Sequence, residues 1–203
     1  MHVAYDGENA KMKSFLIGGI GYHRLSDYGI GPLIVDILKN LNLPNNILIE
    51  DLSYNAVAVY HRLNEINVDE IILVGAIKKM EKLGKIHIYH LDEINLIEQD
   101  KIQELIGESV SGSVDINAII YFLKYFANED LRRKIKVIEV EVDEIRENNM
   151  LSEEIVWSIL AVLKIIIKEI ELNEKLYDIV KIASKVIREE YGMNIEEVFK
   201  IGR

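Results

Sequence analysis

The chain contains no cysteine and no threonine, two prolines and one tryptophan. The missing thiol excludes a disulfide framework, a cysteine-ligated zinc or iron–sulfur site and a cysteine nucleophile. The missing threonine removes a second class of nucleophile. Long apolar runs are missing too. The most apolar stretch, Ile155 to Ile167, is broken by Ser158 and Lys164 and flanked by Glu153, Glu154 and Glu169. A membrane helix needs about 20 predominantly apolar residues, so this stretch reads as a buried helix. Met1 to Met12 is polar, with neither a signal-peptide core nor an arginine-rich transit pattern. These absences point to the cytoplasm and away from a membrane. Positive charge is scarce: 24 Lys and Arg stand against 34 Asp and Glu, a formal net charge of −10. Nucleic-acid affinity rests on cations that displace phosphate counterions, so no nucleic-acid partner is expected.

What is present is a core. The chain has 203 residues, 49% of them hydrophobic, enough for one self-sufficient domain with a small appendage. Isoleucine, lysine and glutamate dominate, and Gln99 and Gln103 are the only glutamines, a bias of the archaeal or thermophile kind.

Short apolar runs alternate with helical periodicity. Ser14–Ile17 reads as a buried strand running into Gly18-Gly19. A loop follows to Gly31, and Pro32 suits the first turn of a helix. Ile30, Leu33, Ile34, Ile37, Leu38 and Leu41 recur at the spacing of one helical face. After the turn at Leu43–Asn46 comes a second strand, Ile47–Ile49, closed by Glu50-Asp51. A helix carrying Ala56, Val59, Tyr60 and Leu63 follows, with Ser53 or Asn55 as its cap, and Ile71–Ile77 makes a third strand. Two successive βαβ units give a parallel sheet with helices on both faces. Beyond them the pattern predicts a strand over 86–91, a loop and short helix over 94–107, a helix over 114–125 and a strand over 135–142. A long helix over 152–170, capped by Ser152, precedes a last helix opened by Asn173 and stopped by Gly192. The fold class is thus α/β, a three-layer sandwich with a twisted, mostly parallel sheet and an added C-terminal helix. Residues 1–12 form an N-terminal extension, 13–170 the α/β domain and 171–203 a helical extension whose apolar stripe can cover the core or form a homodimer contact.

Ligands of such sheets sit at the carboxyl ends of the strands. Three loops lie there: Gly18–Gly31, Glu50–Asn55 and Gly75–Lys79. The first is glycine-rich, but Arg24 stands where a dinucleotide-binding loop needs its third glycine, and no Gly-Lys-Ser/Thr pair exists for a P-loop. Backbone turning explains its glycines. Of the five histidines, His23 alone lies in an edge loop; His87 and His90 fall on opposite faces of a strand. Asp27, Glu50 and Asp51 are the edge carboxylates. Such groups suit cation binding or acid–base work, while Asp51 equally suits capping the following helix and Asp27 a helix start. No Gly-x-Ser-x-Gly elbow and no His-Glu-x-x-His is present.

Leu16-Ile17-Gly18-Gly19-Ile20-Gly21, followed by Asp27-Tyr28-Gly29-Ile30-Gly31, resembles the opening of the hydrogenase maturation endopeptidases. That opening runs as a strand, Gly-x-Gly-Asn, a short linker, then Asp-(Asp/Glu)-Gly-x-Gly and a helix. Asp51 stands where that family carries an Asp-Gly-Gly-Thr-like loop, and Val140–Val142 with Leu151-Ser152-Glu153-Glu154 is similar to its closing strand and "Leu-Ser-Pro-Glu-Val" helix start. The match spans Lys13 to Ile170. The resemblance implies a twisted α/β sheet and removal of a C-terminal extension from the large subunit of nickel–iron hydrogenase, with nickel sensed in the substrate. It places the three sensing positions on Tyr28, Gly75 and Ser113, none of them the carboxylate, aspartate or histidine that the family pattern has there. Glycine has no side-chain donor, and a tyrosine hydroxyl ordinarily titrates near pH 10. The implied reading is a divergent member that has lost its metal-ligand residues, with no resident metal or cofactor and nickel reaching it through a substrate. Either it keeps peptidase-type processing through Asp27, Asp51 and His23, or it is a non-catalytic module that recognises a protein such as a hydrogenase large-subunit precursor. A small-molecule enzyme using the same edge is a third class.

Overall fold

The computed structural model describes residues 12–95, 107, 115–143 and 150–195. Its sheet contains β1 (Phe15–Ile20), β2 (Ile47–Asp51), β3 (Glu70–Ile77), β4 (Ile86–His90) and β5 (Ile135–Glu141) in the order β2-β1-β3-β5-β4. All neighbours pair in parallel except β4, which runs antiparallel to β5 at one edge. The helices are α1 (Ile30–Lys39), α2 (Ala56–Glu65), α3 (Ile116–Phe126), α4 (Glu129–Lys134), α5 (Glu153–Glu169) and α6 (Leu176–Tyr191). No described helix is long and apolar enough to cross a membrane.

The three-layer α/β architecture follows from side-chain alternation. In β3, Ile72 and Val74 face a core shared with α1, α5 and α6. Ile71, Leu73 and Ile77 face a second core with α2, α3 and α4. β1 is buried along its whole length, as a central parallel strand must be. β5, whose partners were not evident from its loose alternation, lies between β3 and β4. Its odd-numbered side chains include Glu139 and Glu141, both fully buried, which is why its pattern does not read as a clean core strand. The helix Glu129–Lys134 was not evident from periodicity, being short and charged; Asn128 caps it.

One of the two caps offered for α2 is used, and the cap expected of α5 is not. Asn55 caps α2, its Oδ1 accepting the Ala58 N–H at 2.9 Å, while Ser53 is used elsewhere. Ser152 occupies the N-cap position of α5, but its side chain makes no capping bond; its hydroxyl is committed to Asp27. The last helix is built into the first core: Ile179, Ala183, Val186 and Ile187 are buried with α1 and α5, each large aliphatic side chain contributing about 1.5–3 kcal/mol.

The chain leaves β1 for α1 on one face of the sheet and reaches β3 through α2 on the other. The switch point of the sheet therefore lies between β1 and β3. A pair of glycines brings α1 down onto it. A Cβ on Gly19 would overlap the Gly31 carbonyl, and one on Gly31 would overlap the Ile20 backbone and approach the Val74 oxygen to 2.7 Å. Only glycine allows a helix backbone to rest on a strand backbone at that distance.

Candidate functional site

A cleft of about 290 Å³ opens at the β1/β3 switch point, lined by Gly21, Tyr22, Tyr28, Lys78, Ile116 and Asn117 among others. The loop after β1 forms one wall. It contains two non-glycine residues in the left-handed region, Arg24 (φ 56°) and Ser26 (φ 48°), an arrangement that costs about 1–3 kcal/mol per residue unless its surroundings hold it. They do: the Ser26 hydroxyl donates to the Met150 carbonyl at 2.9 Å. The β3–β4 loop forms the opposite wall. Glu141 accepts the N–H groups of Lys79 (2.7 Å) and Glu81 (3.0 Å), and the Lys79 ammonium donates to buried Glu139 at 2.5 Å. Burial, reinforced by Glu139, pushes the neighbouring Tyr89 hydroxyl well above its ordinary range. At the floor, Asp115 caps α3 by accepting the Asn117 N–H at 3.0 Å.

The candidate residues divide into three groups. Asp27 is 1% exposed, and both its oxygens are occupied, Oδ1 by the Ser152 N–H and Oδ2 by the Ser152 hydroxyl, each at 2.8 Å. Two stretches that carry the sequence resemblance, the loop with Asp27 and the helix start with Ser152, thus meet in a buried clamp. His23 and Asp51 do come together: Nε2 lies 2.6 Å from Asp51 Oδ2. Nδ1 lies 3.9 Å from Asp36, too far for a hydrogen bond, and His23 is not among the residues that line the cleft. Asp51 also accepts the Ser53 N–H at 2.9 Å. Burial raises its carboxyl, but the Ser53 and His23 hydrogen bonds outweigh that and hold it below the usual range. Glu50 forms a two-pronged pair with Arg62, whose Nε and Nη2 lie 2.9 and 2.5 Å from its two oxygens.

Tyr28 lines the cleft and Gly75 precedes its lining residue Ala76, whereas Ser113 lies outside the described residues. At Gly75 a Cβ would approach Ile116 Cδ1 to 2.8 Å and the Ile20 carbonyl to 3.0 Å. The space an aspartate would need is filled by the first residue of α3. Among the described residues no group of three or more His, Asp or Glu side chains could hold a metal ion. The donors on this edge therefore do not fit a nickel-sensing triad.

No family model and no curated protein matches the chain. Solved structures do. A [NiFe] hydrogenase maturation protease HycI from Thermococcus kodakarensis aligns with a TM-score of 0.56 and 19% identity over 81% of this chain and 95% of that one. The hydrogenase maturating endopeptidase HybD from E. coli gives 0.56 and 18% over 78% and 92%. A hydrogenase 2 maturation peptidase from a Thaumarchaeota archaeon gives 0.52 and 21% over 79% and 99%. The fold is that of the hydrogenase maturation proteases.

On that maturation-protease fold, several residues of the edge had no local signal in the sequence. Ile116 reads as an ordinary helix residue, and only the tertiary placement of α3 brings it under Gly75. Asp36 sits on the polar face of α1, and Glu190 and Tyr191 belong to the last turn of α6, which packs against the first loop from far along the chain. Ser152 was legible as a helix start but not as the partner of Asp27.

Proposed function

We propose that this chain is a hydrogenase maturation protease-like protein that binds a protein partner at the carboxyl edge of its sheet without cutting it. The partner best suited to this reading is the precursor of a nickel–iron hydrogenase large subunit or a relative of it, with nickel present only as cargo of that partner. The observation that carries the reading is the filled position at Gly75: where the resemblance expects a carboxylate, Ile116 occupies the volume. Two further facts support it. The carboxylate of Asp27 is consumed by Ser152, and His23, bonded to Asp51, is not among the residues lining the cleft, so Asp27, His23 and Asp51 do not form one constellation there. What the edge does offer is a cleft with tyrosine, lysine and amide groups, chemistry suited to holding a chain segment.

The test uses purified protein and a nickel-loaded large-subunit precursor. Binding is followed by sedimentation and chain length by mass spectrometry. The expected result is a complex with an uncut precursor, weakened at least tenfold by Tyr28→Ala or Lys78→Ala. A precursor shortened at its C-terminus, with shortening abolished by Asp51→Ala, would establish a protease instead. No complex at all would refute the recognition reading.

A further inference from the structure

β4 closes one edge of the sheet, and its outer side is built to pair again. The Glu141 N–H donates to the Lys85 carbonyl at 2.8 Å, so at Lys85 the main chain turns its polar groups toward β5. Such groups alternate in direction along an antiparallel strand, and β4 stays in register with β5 from Ile86 opposite Val140 to His90 opposite Lys136. His87 and Tyr89 therefore turn theirs to β5 as well, while Ile86, Ile88 and His90 turn theirs outward. The His90 N–H shows that direction: it donates away from the sheet, to Glu93 Oε2 at 3.2 Å. Edge strands are ordinarily blunted by proline or by lysine. Ile86–His90 reads Ile-His-Ile-Tyr-His and holds neither. At its centre the Ile88 side chain is 47% exposed.

The charges flanking this edge say what fits it. Lys82 and Lys85 precede the strand, and Asp92 and Glu93 follow it. A strand that is basic at one end and acidic at the other complements its own antiparallel copy. In that arrangement Lys85 of each copy lies beside Asp92 and Glu93 of the other, whereas a parallel copy would set like ends together. The present partners of these ions are surface contacts, Lys85 with Glu81 and Asp92 with Arg132, of the kind that contributes little.

We propose that β4 is a self-association edge, at which two copies of this chain pair antiparallel about a two-fold at Ile88 and join their sheets into one. Ile88 of each copy exchanges main-chain bonds with Ile88 of the other, and Ile86 pairs with His90 on either side. The His90 N–H passes from Glu93 to the Ile86 carbonyl of the second copy, which releases the Glu93 carboxylate toward the lysines of that copy. The contact is isologous, so every interaction occurs twice and the assembly closes as a dimer. The apolar stripe of α6 takes no part, because Ile179, Ala183, Val186 and Ile187 are buried in the first core. The β3–β4 loop, one wall of the cleft, leads directly into the paired strand, so pairing anchors that wall whatever the cleft binds.

Sedimentation velocity of the full chain across the micromolar range tests this. A concentration-dependent dimer is expected. Ile88→Lys would set two like charges directly opposite each other, at a position exposed in the single chain. It should leave only monomer, with circular dichroism and thermal unfolding as in wild type. Lys85→Glu and Asp92→Lys should each weaken the dimer about fivefold or more. The double variant, with the two signs exchanged, should recover most of the lost affinity, a rescue that a merely structural effect of either substitution would not give. A wild-type chain that stays monomeric throughout would overturn the proposal. So would a dimer that Ile88→Lys leaves intact, which would place the contact on another face such as α6, or a double variant no tighter than the single ones.

Discussion

Gly75→Asp restores a carboxylate at the position where the maturation-protease resemblance expects one, and the structure says it will be expensive. Gly75 pairs with Ile20 on one side and with Glu139 on the other, and its missing side chain would point at α3. The Cβ alone would meet Ile116 at 2.8 Å and the Ile20 oxygen at 3.0 Å, an overpacking of about 1–3 kcal/mol. Beyond the Cβ, a carboxylate would enter a buried layer beside fully buried Glu139, adding about 1–3 kcal/mol for an unpaired polar group. The sum is about 2–6 kcal/mol, a large part of the roughly 5–15 kcal/mol that holds an ordinary domain folded. Because Ile116 is the main obstacle, the effects should not add. Ile116→Ala alone should cost about 2–5 kcal/mol, but the double variant should cost at least about 1 kcal/mol less than the two singles together. Urea unfolding of the four proteins at pH 7 measures this. The reasoning fails if Gly75→Asp stays within about 0.5 kcal/mol of wild type, or if the double variant is additive within about 0.5 kcal/mol.

Other consequences are as direct. Asp27→Ala leaves the Ser152 N–H and hydroxyl without acceptors in a buried site and should cost about 2–4 kcal/mol, whereas Asp27→Asn, which can still accept the N–H, should cost less than half of that by thermal unfolding. Glu141→Ala strips the acceptor from the Lys79 and Glu81 amides that hold the β3–β4 turn, where Met80 has φ 61°; a loss of about 2–3 kcal/mol is expected in urea. Asp51, held below its ordinary range, contributes stability above its unfolded value that is lost as pH falls through its folded value. Asp51→Asn should therefore flatten the acid limb of the stability curve below about pH 4, as followed by circular dichroism. A chain ending at Ile170 removes the buried side chains of Ile179, Val186 and Ile187 and should be recovered unfolded or aggregated.

The fold was legible because its strands carry their own signature. Phe15–Ile20 and Ile71–Ile77 are continuous apolar runs, as doubly covered parallel strands require, and α1 shows its buried stripe in residues that are neighbours along the chain. The glycine pattern after β1 was legible as backbone turning, and the close packing of Gly19 on Gly31 gives the physical reason. The site was less legible because its decisive contacts are long-range. Nothing near Asp27 points to Ser152, 125 residues away. Nothing near Gly75 points to Ile116. Local pattern tells which residues reach the edge; the packing of α3, α5 and α6 decides which side chains remain available there.

That availability separates a recognition surface from a reaction centre. Catalysis by water attack needs a base with a free lone pair or a metal with an open position, set where the reacting atom can reach it. On this edge the strong groups are already engaged with one another or with the backbone. Asp27 clamps α5, Asp51 binds His23 and Ser53, Glu50 binds Arg62, and Glu139 and Glu141 hold the opposite loop. Each contact lowers the reactivity of the group and raises the rigidity of the backbone around it. Lys78 and the tyrosines line the cleft on walls fixed by those contacts. Rigid walls reduce the ordering cost of binding, whereas a carboxylate whose oxygens are both occupied has nothing left to offer a substrate water.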